Sequence, residues 1–237
     1  KKVWKVEAAS AQSLSLSYVS KDMEEGFPGN LRVKMTYTLS EDNELGISYE
    51  ATTDKATVLN LSNHSYFNLS GNAKRDILNQ EVQIDASRLV AVNKVLIPTG
   101  ELTPVNGTPF DFTKPHVVGD RINDTSSEQI VLGGGYDHCW ALDKPAGSYA
   151  KIATVHDPVS GRKMTVSTDQ PGVQFYTGNF LDGHLTGKYG VQITKRYGLC
   201  LETEHFPDSP NQPNFPSTVL RPGEVYKTKT AYQFSVN

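Results

Sequence analysis

Cysteine is scarce: Cys139 and Cys200 are the only two in 237 residues, and neither lies in a metal-type spacing. That excludes a disulfide-dense scaffold and a cysteine-rich zinc module, and it favours reduced thiols in an intracellular, cytoplasmic setting. Long apolar runs are lacking too. None approaches the roughly 20 residues of a transmembrane helix, and no signal-peptide pattern opens the chain. A large excess of one charge sign is also missing. The formal net charge is −3 with no long basic block, which argues against nucleic acid or a membrane surface as the main partner. No stretch runs long at helical period, no Pro/Ser-rich linker divides the chain, and no internal repeat stands out. The expectation is one domain over residues 1–237.

What is present is alternation. In "LRVKMTYTL" (31–39), Leu31, Val33, Met35, Tyr37 and Leu39 share one face, opposite Arg32, Lys34, Thr36 and Thr38. "LGISYEA" (45–51) repeats the pattern, and the intervening "EDN" supplies a turn, so the two predict a hairpin. Further short strands are predicted at 4–8, 13–19, 56–61, 63–69, 80–85, 151–156, 163–168, 172–177, 198–204 and 225–236. Many strands punctuated by Gly and Pro point to a large antiparallel β-sandwich or barrel.

Three stretches depart from plain β patterning. "TVLNLSNHSYFNLSGN" (57–72) places Asn60, Ser62, His64, Tyr66 and Asn68 on one parity, an unusual polar face. "VLGGGYDHCWAL" (131–142) runs three glycines into an acid, a histidine and a tryptophan; such glycines permit positive φ or close backbone approach. "LCLETEHFPDSPNQPNFPSTVLRPGE" (199–224) sets Glu202 in a strand ahead of an irregular Pro/Asn-rich segment. Singly, each has a plain structural explanation: an exposed strand histidine, a loop, an acid on a solvent face. Together they supply an imidazole, carboxylates, amides and rings. That inventory suits a sugar, whose apolar face stacks on rings and whose hydroxyls bind carboxylates and amides.

Five ordered stretches, "NLSNHSYFNLSG", "TPFDFTKP", "GGGYDHCW", "PGVQFYTGN" and "LETEHFPDSPNQPNFPSTVLRPGE", resemble the signatures of the aldose 1-epimerases, or galactose mutarotases, over Trp4 to Val236. The resemblance implies a β-supersandwich with a sugar cleft. It implies interconversion of the α and β anomers of free aldohexoses such as glucose and galactose, with no metal and no organic cofactor. It makes His64 the general acid, Glu202 the general base, Asp137 the carboxylate that grips sugar hydroxyls, and Gln174 a polar contact near the substrate. Tyr66, Phe175 and Phe206 lie beside these motifs without an implied role. His138, on the opposite parity from Asp137, reads as structural.

The same resemblance places an arginine-bearing "NRI"-type stretch and an "NHLHGG"-type stretch before the region matched here, and neither occurs in this chain. The expectation is therefore a sheet short of N-terminal strands, completed by an associated fragment or second chain. Two other functions fit the same residues. A hexose-6-phosphate 1-epimerase would need clustered Arg or Lys, which the three site motifs lack. A non-catalytic carbohydrate-binding sandwich would need no base. A domain borrowed by a glycosidase fits least, since two carboxylates would leave His64 without a task.

Overall fold

The computed structural model describes residues 1–236, and its architecture is two antiparallel sheets packed face to face. The larger sheet has nine strands, in the spatial order Lys5–Ala9, Ser13–Ser20, Leu31–Leu39, Glu44–Thr53, Tyr226–Val236, Arg162–Thr168, Ala150–His156, Glu81–Ile84 and His116–Val117. The smaller has five, in the order Cys200–Glu204, Gly172–Tyr176, Asp137–Ala141, Arg88–Val92 and Pro98–Pro104. The predicted 31–39/45–51 hairpin forms, with Leu39 opposite Leu45 at its turn.

Period-two patterning decides what lies between the sheets. Trp140, Phe175, Val173 and Leu201 of the small sheet point inward and are buried. They meet Ile47, Met164, Val166 and Tyr232 of the large one. Phe110, Phe112 and Tyr136 join Trp140 and Phe175 in an aromatic cluster with edge-to-face contacts, including Phe112 on Phe175 at 5.6 Å. Polar tips stay satisfied. The Trp140 Nε1–H donates to Phe110 O at 3.0 Å, and the Tyr232 hydroxyl donates across the layers to Leu201 O at 2.8 Å.

One expectation needs correction, and another gains no support. Residues 63–69 do not form a strand; apart from a bridge between Phe67 and Leu199, the segment is irregular. The cause is local competition. The Asn63 side-chain oxygen accepts from both the amide and the hydroxyl of Ser65, and the Asn68 oxygen accepts from the Ser70 amide, which diverts the backbone from a ladder. An accompanying fragment or second chain also finds no support, because both layers and their core are built from this one chain.

Candidate active site

Register on the small sheet sets the site. Asp137 lies opposite Tyr176, and Tyr176 opposite Cys200; one row along, Cys139 lies opposite Gln174, and Gln174 opposite Glu202. Side chains of one parity share a face. Asp137, Gln174, Tyr176, Cys200 and Glu202 thus stand on the face turned away from the core, with Glu204 in the next row. The Gln174 side-chain amide donates to Asp137 Oδ1 at 2.9 Å and fixes that carboxylate over the sheet.

His64 arrives from outside the sheet. Its segment is pinned twice to the edge strand Cys200–Glu204 and its flanks. The Asn60 side chain brackets the His205 backbone at 2.9 and 3.0 Å, and Phe67 exchanges backbone hydrogen bonds with Leu199 at 2.8 and 2.9 Å. Between those anchors His64 leans over the strand. Its Nε2 lies 3.5 Å from Glu202 Oε1, and its Nδ1 lies 3.4 Å from Cys200 Sγ. The His64 side chain is 52% exposed and that of Glu202 13%. The ring of Tyr66 sits 5.1 Å from the imidazole and that of Tyr176 6.0 Å, forming an aromatic wall on one side.

Burial tunes the acids. Desolvation raises Glu202 to about 7, helped by the charge of Asp137 and opposed by His64. Asp137 is also raised by burial, against the Gln174 hydrogen bond and His64, which pull it down. Glu204 is pushed up to about 8 by burial and by Glu202. The native fold therefore retains a proton on Glu204 that the unfolded chain releases above its ordinary value of 4.5. Stability then falls as pH rises from there through about 8. Glu204→Gln is expected to leave stability unchanged near pH 4 and to raise it by roughly 4–5 kcal/mol near pH 9. Urea unfolding at the two pH values checks this, and an equal effect at both would remove the titration as its cause.

Two of the three glycines have separate conformational tasks. The short helix Glu128–Gly133 ends with Gly134 in the left-handed region at φ 62°, and the Gly135 amide closes it onto Ile130 O at 3.0 Å. Gly135, at φ 134°, passes so close to the Arg196 guanidinium that an added Cβ would lie 2.6 Å from it. Arg196 is buried and donates to Gly134 O and Thr177 Oγ1, each at 2.8 Å, and to Asn179 Oδ1. Asn179 in turn donates to Gly133 O and Tyr136 O. This knot delivers the chain into the strand that begins at Asp137.

The sequence-predicted quartet of His64, Asp137, Gln174 and Glu202 thus converges on one face. His138 goes to the core face, where its ring packs on Phe110 at 4.8 Å and burial lowers it to about 4. Phe175 also turns inward. Phe206 packs against Phe215 on the same outer face of the small sheet as the site, where Gly172 leaves room for its ring. Cys200 and Tyr176 were not singled out from sequence, although their parity with Glu202 and Gln174 carries the signal. Arg196 carries no such local signal.

Comparison with known proteins identifies the family. The aldose 1-epimerase family profile matches residues 1–233. The chain belongs to the aldose 1-epimerase family. Among family members, human galactose mutarotase is 48% identical over 228 residues, which cover 95% of this chain and 64% of that protein. The aldose 1-epimerase of Escherichia coli K12 is 36% identical, over 99% of this chain and 67% of that one. The chain therefore spans about two thirds of the length of these relatives. Of solved structures, an aldose epimerase homologue from C. elegans superposes with a TM-score of 0.88 at 28% identity, covering 98% of this chain and 68% of that one. Galactose 1-epimerase from Lactobacillus acidophilus gives 0.85 at 26%, covering 100% and 67%. Both relations place the two-sheet sandwich within the family fold.

Proposed function

We propose that this protein interconverts the α and β anomers of free aldohexoses by acid/base ring opening, with Glu202 as base and His64 as acid. One observation carries the reading: an imidazole and a carboxyl from distant segments meet 3.5 Å apart on an open face, with the carboxyl tuned to about 7. A base works best when its pKa lies near the operating pH. Glu202 takes the proton of the anomeric hydroxyl as His64 gives one to the ring oxygen, and the C1–O5 bond breaks to the open-chain aldehyde. Rotation about C1–C2 presents the other carbonyl face. Closure with the two roles reversed gives the other anomer. Asp137, oriented by Gln174, accepts hydrogen bonds from sugar hydroxyls, and Tyr66 and Tyr176 supply ring surface.

The residues that converge here are carboxyls, an imidazole, an amide, a thiol and aromatic rings, with no lysine or arginine among them. That favours an unphosphorylated sugar over a hexose 6-phosphate, whose dianion calls for cationic partners. Polarimetry on freshly dissolved α-glucose and α-galactose tests the reading directly. Sugar binding without accelerated mutarotation would instead make this a binding sandwich.

The tuning of Glu202 gives a pH signature. A base must be unprotonated to act, so kcat/KM should fall about tenfold per pH unit below about 7. An acid limb near 4.5 would show that Glu202 titrates as an ordinary carboxyl and would remove burial from the argument.

A further inference from the structure

We propose that His64, Cys200 and Glu202 form a latent site for a thiophilic divalent cation, zinc above all, and that its occupation switches the enzyme off. The three residues offer one nitrogen, one sulfur and one oxygen donor, all within 4.8 Å of one another. Tetrahedral zinc, with bonds of about 2.0–2.3 Å to such donors, holds neighbouring ligand atoms about 3.4–3.6 Å apart. The contacts already present are of that size: 3.4 Å from His64 Nδ1 to Cys200 Sγ, and 3.5 Å from His64 Nε2 to Glu202 Oε1. Each uses a different ring nitrogen, so a swing of the half-exposed imidazole is needed to bring one nitrogen within reach of both partners.

The framework beneath the donors is fixed. Cys200 and Glu202 are alternate residues of one strand, paired with Tyr176 and Gln174, so their side chains emerge on one face without rearrangement. The buried thiol is covered by the half-exposed imidazole, and that ring is the part that has to turn. A thiolate in the donor set selects zinc over magnesium or calcium, which favour oxygen. As zinc binds, the thiol proton leaves to solvent and a sulfur–zinc bond forms, with no change in oxidation state. Three protein ligands leave the fourth position to water, as in open sites, so binding is reversible rather than structural. Occupation commits the proposed acid and base to the metal at once, which makes zinc competitive with sugar. The inhibitory half of this proposal rests on the epimerase reading, whereas the binding half does not.

The test uses the purified protein freed of metal. Titration with Co²⁺ should give a one-to-one complex with thiolate-to-cobalt charge-transfer absorption in the near ultraviolet, and Zn²⁺ should erase it. Cys200→Ser should abolish the band and weaken zinc at least about 100-fold, more than the loss typical of an outer-shell partner. Cys139→Ser should keep both. His64→Ala, a change at an exposed side chain, should weaken zinc without disturbing the fold, as followed by circular dichroism. In parallel, micromolar zinc should suppress anomer exchange, and a chelator should restore it. Absence of the band, or its survival in Cys200→Ser, overturns the site. A band in a protein that does not mutarotate sugars upholds the site and overturns the epimerase reading. Mutarotation that zinc leaves untouched, with the band present, overturns the switch.

Discussion

Glu202→Gln is expected to slow anomer exchange of glucose or galactose by two or more orders of magnitude while leaving the fold intact. The substitution keeps shape and hydrogen-bonding capacity at the position but cannot accept the anomeric proton. His64→Asn should cost a similar factor, because the ring oxygen then leaves without a proton. The double variant should be little slower than either single one, since ring opening needs both transfers in one step and the second loss removes nothing that still works. Asp137→Asn should behave differently. A charge-assisted hydrogen bond to a hydroxyl is worth about 1.5–3 kcal/mol, so KM should rise about ten- to a hundredfold with kcat changed less. Polarimetry or NMR exchange at matched folding reads all four. Turnover close to wild type in Glu202→Gln would remove the base and return the face around His64 to sugar binding alone.

Arg196→Ala should be the most damaging single change away from the reacting groups. The guanidinium is buried, and its direct hydrogen-bond partners, Gly134 O, Thr177 Oγ1 and Asn179 Oδ1, are all neutral acceptors. Each charge-assisted bond contributes about 1.5–3 kcal/mol, and truncation removes all three from a buried site while leaving only the Thr177 hydroxyl to hold Asn179 Oδ1, so a loss of about 3–5 kcal/mol is expected. Denaturant unfolding measures it. Because the knot leads directly into Asp137, KM for sugar should rise in the folded fraction even though Arg196 lies outside the reacting pair. Gly135→Ala should reproduce part of the effect from the other side, since its Cβ would press on the same guanidinium. A stability loss within 0.5 kcal/mol for Arg196→Ala would mean that the helix end and Asn179 hold the loop unaided.

How far these features could be read from the chain depended on the range of the forces behind them. Alternation is local, so the strands over 31–39 and 45–51 were legible, and so was the shared parity of Gln174 with Tyr176 and of Glu202 with Cys200. The motifs that carry the family resemblance group His64, Asp137, Gln174 and Glu202 from sequence alone. The failure at 63–69 was also local but finer: an alternating pattern is insensitive to Asn63 and Asn68 turning their side chains onto the neighbouring backbone. The hairpin Arg88–Val92/Pro98–Pro104 escaped because its first strand is apolar on both faces and carries no alternation. Arg196 could not be found from its neighbours at all. Its partners lie in other segments, and only the fold turns an ordinary basic residue beside a lysine into a buried anchor.

The strand Tyr226–Val236 lies in the middle of the large sheet, between Glu44–Thr53 on one side and Arg162–Thr168 on the other. Its place there governs how the protein comes into being. Until this segment leaves the ribosome, the large sheet stays divided between the ladder of early strands that ends at Glu44–Thr53 and the ladder that includes Arg162–Thr168, and each presents an open edge of amides and carbonyls. Closing that gap links residues far apart in the chain, the kind of pairing that folds slowly. A nascent chain halted before residue 226 would display two sticky edges at once, inviting capture by a chaperone or by another copy of itself.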